Sequence, residues 1–422
     1  MNRQFDCIVA GAGTAGVIAA LQCGRIGLKT LLLERSGQPG GTMTSSLIAY
    51  PGLFFAWKKQ IISGLGWEMV TKCAELSGTE LPRFDEQEGM KRHHLYQIRL
   101  SSGLYAALCD EELSLAYVNR LYHAIPVKIE RCGETWQVTV ATQDGETVFE
   151  TSELIDCSGD ASVTVLAGFA RIFPNPVQPA TFSYRLSGYD PAALDLEAIG
   201  RSADDAVRCG KLKYSDLSWS DACFKPQLLR AFGNNANHIY LECAATAEAR
   251  SLAEQEGRAS VLRAFRFLKR QRGMEKIQLD FVSPECGLRE SAVIEGEYTV
   301  TEEEYCSGTV YPDSIAYTIY PIDLHVKNDR GVDPVALRDG IVPTIPLRAM
   351  LPKGSSHLLA AGRCISSDRR ANSALRVQAS CMAMGQAAGA AAALAVKCHT
   401  TPGNVNIGDL KRLLAEFGAI VP

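Results

Sequence analysis

Apolar positions gather in short dense runs near both ends of the chain, with a more broken pattern between them. The first run, "FDCIVA" (Phe5–Ala10), stops at Gly11 and predicts a buried strand. Small residues from Ala15 to about Arg25 predict a helix that Gly27 ends, and "KTLLLE" supplies a second strand closing on Glu34. "GWEMVTKCAELSG" and "SSGLYAALCDEEL" carry helical spacing. "LAYVNRLYHAIPVKIER" and "TWQVTVATQDGETVFETSELIDCSGDA" predict several strands, with Asp144-Gly145 as a hairpin turn. The last of them ends at Gly159–Asp160 and leads into the helix "ASVTVLAG".

From about Arg171 to Gly354 the style changes: prolines cluster, and short strands alternate with helices such as Ser251–Arg272. Residues 355–422 return to the opening style with the strand "HLLAAG", a polar loop and an alanine-rich helix. The pattern predicts an α/β chain with a discontinuous Rossmann-like nucleotide-binding domain, 1–170 and 355–422. An α+β substrate lobe, 171–354, is inserted between the two parts.

The turn after the first strand narrows this further. Gly11, Gly13 and Gly16 fill the three places of G-x-G-x-x-G: a tight turn, a close approach of backbone to pyrophosphate, and close helix–strand packing. The helix beginning at Ala15 turns its unpaired N–H groups toward the phosphates. Glu34 lies where an acid hydrogen-bonds an adenosine ribose. Beyond it, Gly41 and Thr42 bring backbone and a hydroxyl to the same region, and the strands ending at Gly159 and Gly362 return to it. A NAD site needs only the first motif, whereas an extended FAD held at several points needs the returns. Gly385 and Gly389, at i and i+4 in the alanine-rich helix, leave one face bare. That face is expected to lie against the flavin, with the turn Ser380–Met384 aiming its amides at the ring. Tight packing against a neighbouring helix is the alternative.

Composition removes other classes. With 46% apolar and 21% charged residues and a formal net charge of −4, the chain offers no field for nucleic acid or an anionic membrane. The basic run Arg263–Arg272 is spaced as a solvated helix face. The apolar stretch Cys381–Val396 is short for a bilayer, and no signal segment precedes the first strand, so a soluble protein is expected. The 14 cysteines form no C-x-x-C pair or metal-ligand spacing, which suits a reducing cytoplasm and predicts no metal site.

Six segments together resemble one known group: "GAGTAG", "GGT", "IDCSGDASVTVLAG", "GLRESAVIEGEYTVTEEE", "YPIDLH" and "LPKGSSHLLAAGRCISSDRRANSALRVQASCMAMGQAAGAAAALA". The group is the FAD-dependent oxidoreductases related to fumarate reductase and succinate dehydrogenase flavoproteins, with a glutathione-reductase-like FAD domain. The resemblance implies FAD held by Gly11, Gly13, Ala15, Gly16, Glu34 and Arg35. It adds Gly41, Thr42, Gly159, Asp160, Gly362, Arg363 and Gly385, with backbone of Val127 at the adenine. "GGTMTSSLIAY" has no histidine for a covalent link, so FAD is expected to be non-covalent. No dicarboxylate-binding signature accompanies the likeness.

Flavin oxidations need a base, and a cation to hold developing negative charge. In "YPIDLH", Asp323 and His325 alternate along one strand side beneath Tyr320, and the resemblance makes His325 the expected base or proton relay. Arg289 either pairs with Glu290 or anchors substrate, and Arg376 either stabilises charge at the ring or caps a turn. His93 and His94 read as surface residues. The expected activity is hydride transfer between FAD and a small organic substrate. No second nucleotide motif follows a strand, so oxygen, a quinone or a partner protein is the expected electron acceptor. A NAD-only dehydrogenase and a non-catalytic flavin-binding protein are the rival readings.

Overall fold

The computed structural model describes residues 3–87, 89 and 92–422. The first apolar run is strand β1 (Gln4–Ala10), followed by helix α1 (Thr14–Arg25) and strand β2 (Thr30–Leu33). Both strands pair in parallel; α1 and its core take Cys7, Val9 and Leu32 on one face, and Ile8, Ala10, Leu31 and Leu33 pack into a second cluster on the other. The sheet runs Asn119–Leu121, β2, β1, Gly145–Asp156, Thr135–Thr142, Ile125–Cys132, and the expected hairpin at Asp144-Gly145 joins two of these strands.

Gly145–Asp156 is long enough to serve two neighbourhoods. Its first half pairs antiparallel with Thr135–Thr142, and its last three residues pair in parallel with Leu358–Ala360. Register sets Ala10 beside Asp156, and Asp156 beside Ala360. Three strand ends that lie far apart in sequence therefore stop at one edge, and their glycine turns leave side by side. In open α/β sheets this carboxyl edge is where ligands bind. The fold class is the one expected, a Rossmann-like α/β domain with a second lobe.

Of the apolar cores among the described residues, two bear on the expected boundary. One surrounds the sheet, α1 and the alanine-rich helix, and also takes in Val300, Tyr305, Ile315, Ile319, Ile322 and Ile345. The other is built from residues between Ala180 and Cys286, where the sheet Gly233–Asn234, Tyr184–Ser187, Gln278–Val282 meets the helix Ala247–Leu268. The lobe with a core of its own thus ends near 286, and the chain from about 300 to 350 packs with the nucleotide half. That segment lies inside the expected limit at 354, yet its apolar side chains pack into the first core.

The alanine-rich helix is Gln378–Cys398. At 21 residues it meets the length and apolarity of a membrane span, which corrects the expectation that it is too short, but 83% of its most apolar window is buried in the protein core. Its glycines explain the burial. A Cβ on Gly385 would stand 2.1 Å from the Ala15 carbonyl oxygen, and one on Gly389 would stand 2.5 Å from that of Ala19. Bare backbone lets the helix lie directly on α1.

Candidate functional site

A cavity of about 1270 Å³ runs along the carboxyl edge of the sheet and on toward the second lobe. That exceeds the ~300–1,000 Å³ of an ordinary small-ligand pocket, as an extended ligand requires. Gly11, Gly13 and Ala15 line it at the first turn, Glu34, Arg35, Gly41 and Thr42 at the next wall. Gly159, Asp160, Gly362 and Arg363 line it where the two late strands end.

Gly11 holds the turn at φ +100°, and a Cβ there would strike the Cys157 carbonyl oxygen at 2.4 Å, so the position takes only glycine. Glu34 Oε2 accepts from Ala12 N–H at 2.7 Å and Oε1 from Ser36 N–H at 2.8 Å. The carboxylate thereby braces the turn and keeps lone pairs for a ribose hydroxyl. Gly13 and Gly40 form a bridge between the two glycine loops, and a Cβ on Gly41 would come within 2.8 Å of Gly13 Cα.

Asp160 receives Arg363 at 2.8 Å, Arg250 at 2.7 Å, and the Ser291 hydroxyl. Burial raises its pKa, but Arg363 and Arg250 outweigh that and hold the carboxyl well below its usual range. Arg250 belongs to the helix Ala247–Leu268, so this cluster ties the second lobe to the nucleotide half.

Three expected cofactor residues lie off the wall. Gly16 packs on the Gly11 carbonyl oxygen and shapes the turn from behind, its expected packing role. Gly385 faces α1 and is not on the cavity wall, so the bare helix face serves helix packing, the alternative weighed for it. Val127 sits at the register shift between Pro126 and Lys128, while Ala124, Ile125 and Pro126 line the cavity in its place. The alanine-rich helix does reach the cavity, one turn earlier than expected, through Val377, Gln378 and Cys381. Ser380 turns instead to the buried Thr318 hydroxyl.

The other end of the cavity is made of side chains. Asp323 and His325 stand on the strand Ile322–His325, which pairs with Val332–Val335. Arg376 caps the C-terminus of the helix Arg369–Leu375 and lies 3.9 Å from Asp323. Arg289, buried beside them, donates to the Pro179 carbonyl at 2.7 Å. The expected pairing of Arg289 with Glu290 does not occur: Glu290 holds Gln178 and Arg369. Gln178 in turn accepts from the His325 backbone N–H at 3.0 Å, fixing the strand end.

Charges in this cluster do not cancel. Burial, and then the neighbouring Arg376, lower Arg289 to about 9 against the pull of Asp323. Burial, with Arg289, lowers His325 to about 4, so its ring is neutral at pH 7. Burial pushes Asp323 up, but His325, Arg376 and Arg289 prevail and keep it ionised. Two cations thus face one carboxylate, and the site has room for a further negative charge.

Sequence reading missed His238, whose Nε2 lies 2.8 Å from His325 Nδ1, and Trp219, packed edge-on to the His325 ring. Neither belongs to a motif. His94 is exposed, as expected, and both His93 and His94 border the cavity, with His93 edge-on to Tyr320. Gln378 was missed as well. Its amide N–H₂ reaches Thr42 and the Ile48 carbonyl, while its buried Oε1 has no partner. An orphaned acceptor on the cavity wall, between a glycine cradle and a charged cluster, fits an expected FAD whose ring carries an N–H. Among the described residues no cluster of metal-ligating side chains occurs.

A family model described as FAD dependent oxidoreductase matches residues 6–414. The dihydrolipoyl dehydrogenase of Chlamydia trachomatis serovar D is 50% identical over 42 residues, 10% of this chain and 9% of that protein. The thioredoxin reductase of Treponema pallidum is 31% identical over 110 residues, 26% of this chain and 34% of that protein. The chain spans only about a tenth to a third of the length of these curated relatives. Among solved structures, an anhydrotetracycline hydroxylase from Streptomyces rimosus is 15% identical, covering 98% of this chain and 66% of that one at TM-score 0.45.

Proposed function

The chain belongs to the FAD dependent oxidoreductase family, and from that premise we propose that it oxidises or reduces a small anionic organic molecule against non-covalent FAD. The observation that carries the proposal is one continuous cavity, lined by the Gly11–Gly13 turn at one end and by Arg289, Arg376, Asp323 and His325 at the other. When bound, FAD supplies an acceptor or donor of hydride.

The side chains divide the remaining work. Gly11, Gly13, Gly41 and Glu34 would hold the nucleotide, and Gln378 Oε1 would accept an N–H of the ring system. Arg289 and Arg376 would bind the negative group of the substrate, because together they exceed the charge of Asp323. The Asp323–His325 pair, on the cavity wall, would exchange the substrate's proton. The finer relation to fumarate reductase and succinate dehydrogenase flavoproteins is part of this proposal and rests on the six resembling segments. Oxygen, a quinone or a partner protein is proposed as electron acceptor because no second nucleotide motif follows a strand. A cytoplasmic setting is proposed from 14 cysteines that all remain free.

Purified protein is expected to be yellow and to release FAD on acid denaturation. Anaerobic bleaching should follow addition of hydroxy acids or other anions, with neutral polyols of the same size inert. Arg289→Met should keep the colour and lose the bleaching. A colourless protein that takes up no FAD, or one bleached equally by neutral analogues, overturns the proposal.

A further inference from the structure

The two histidines of the site pose a hydrogen-bond question with one satisfactory answer. His238 Nε2 and His325 Nδ1 are 2.8 Å apart, and His325 Nε2 lies 3.4 Å from Asp323 Oδ2. A bond between two neutral imidazoles needs one N–H and one lone pair, and each ring owns a single N–H. If His325 donated from Nδ1, its bare Nε2 would face a carboxylate, lone pair against negative charge. If His238 donates from Nε2, His325 accepts at Nδ1 and gives its own Nε2 proton to Asp323. The second arrangement satisfies both His325 nitrogens and leaves only His238 Nδ1, buried and without a partner, as a bare acceptor, which costs less than setting a lone pair against a carboxylate. A doubly protonated His325 is opposed by burial and by Arg289 and Arg376 nearby.

We infer that His238 is a positioning residue that locks His325 in its Nε2–H tautomer and so leaves Asp323 as the proton acceptor facing the cavity. The inference rests on reading this cavity as the reaction site. Asp323 and His325 line it, whereas His238 is 2% exposed and lies off the wall, acting only through His325. Behind His238 stands Tyr240, with Lys327 over its ring, and Trp219 closes the side of His325. Proton transfer breaks the substrate's O–H or N–H bond and forms O–H on Asp323, the electron pair remaining on the substrate atom. His325 cannot take that proton at Nε2, which already holds one, nor at Nδ1 while His238 donates there.

Two measurements on the full-length flavin-bound protein test this. Histidine ¹⁵N spectra, assigned with His238→Gln and His325→Gln, should show His325 protonated at Nε2, bare at Nδ1 and unchanged over about pH 5 to 8. A proton on Nδ1, or an ordinary imidazole titration in that window, overturns the inference. In kinetics, His238→Leu removes the donor and His238→Gln keeps an N–H. The Leu variant should lose about tenfold in kcat with KM little changed and gain a new ionisation between about pH 5 and 8. The Gln variant should restore the flat profile. Equal profiles for wild type and Leu overturn the inference, and if Leu does not fold, the wild-type tautomer and the Gln profile still decide it. A protein with the Nε2–H tautomer that binds no flavin defeats the reading of the site and leaves the His238 assignment standing.

Discussion

At the Gly11 end of the cavity the wall is main chain, and at the Tyr320 end it is side chains. The first wall comes from strand ends of one sheet, where register fixes the turns and small residues leave the backbone open. The second gathers Arg289, Asp323, His325 and Arg376 from segments that share no sheet with it. A backbone wall tolerates few replacements and recognises a shape common to many nucleotides. A side-chain wall changes its chemistry with single substitutions. On the proposed reading, one end keeps the cofactor and the other chooses the reaction.

Substitutions should separate these roles. The largest effect is expected from Gly385→Val, which forces a side chain into the Ala15 carbonyl and parts the two helices backing the nucleotide turn. A cost of about 3 kcal/mol is expected, with FAD content falling alongside, as urea unfolding and absorbance would record. Asp323→Asn should do the opposite: full flavin content with kcat reduced about 10²-fold. If Asp323→Asn also bleeds flavin, the two ends are not separable.

Glu34→Gln sharpens the picture from the nucleotide side. It weakens the charge-assisted bonds to Ala12 and Ser36 N–H and to a ribose hydroxyl, so FAD affinity should drop about tenfold, near 1.4 kcal/mol, with kcat of the loaded enzyme unchanged. Acid gives a further contrast. His325 is held at about 4 and His238 lower still, both driven down first by burial, against about 6.5 in an unfolded chain. Between about pH 6.5 and 4 the unfolded chain therefore binds more protons, and stability falls as pH drops. Denaturation midpoints at several pH values should show this fall, smaller in His238→Gln. The smallest effect is expected from Val127→Ala, which touches no cavity wall and should leave FAD affinity within about twofold.

The same division explains what could be read from the chain beforehand. Gly11, Gly13 and Glu34 were legible because strand, turn, helix, strand and acid follow one another locally, and each has a fixed geometric duty. The late strand ends at Gly159 and Gly362 were legible as returns to that sheet. Gly385 misled because small residues on a helix signal close approach without saying to what; α1 was the answer. The packing of residues 300–350 was not legible, because short strands and helices alternate through them as in the rest of the inserted stretch although their apolar side chains join the first core. His238 and Gln178 carried no signal, since each acts through a partner distant in sequence, and Trp219, which lines the cavity and packs on His325, belongs to no motif.

The seat of the alanine-rich helix on α1 has a consequence for biosynthesis. Ala15 leaves the ribosome early and Gly385 late, yet each is the other's contact. A nascent chain therefore displays its glycine turn long before the helix Gln378–Cys398 stands behind it, and a stable hold on flavin must await synthesis of that helix.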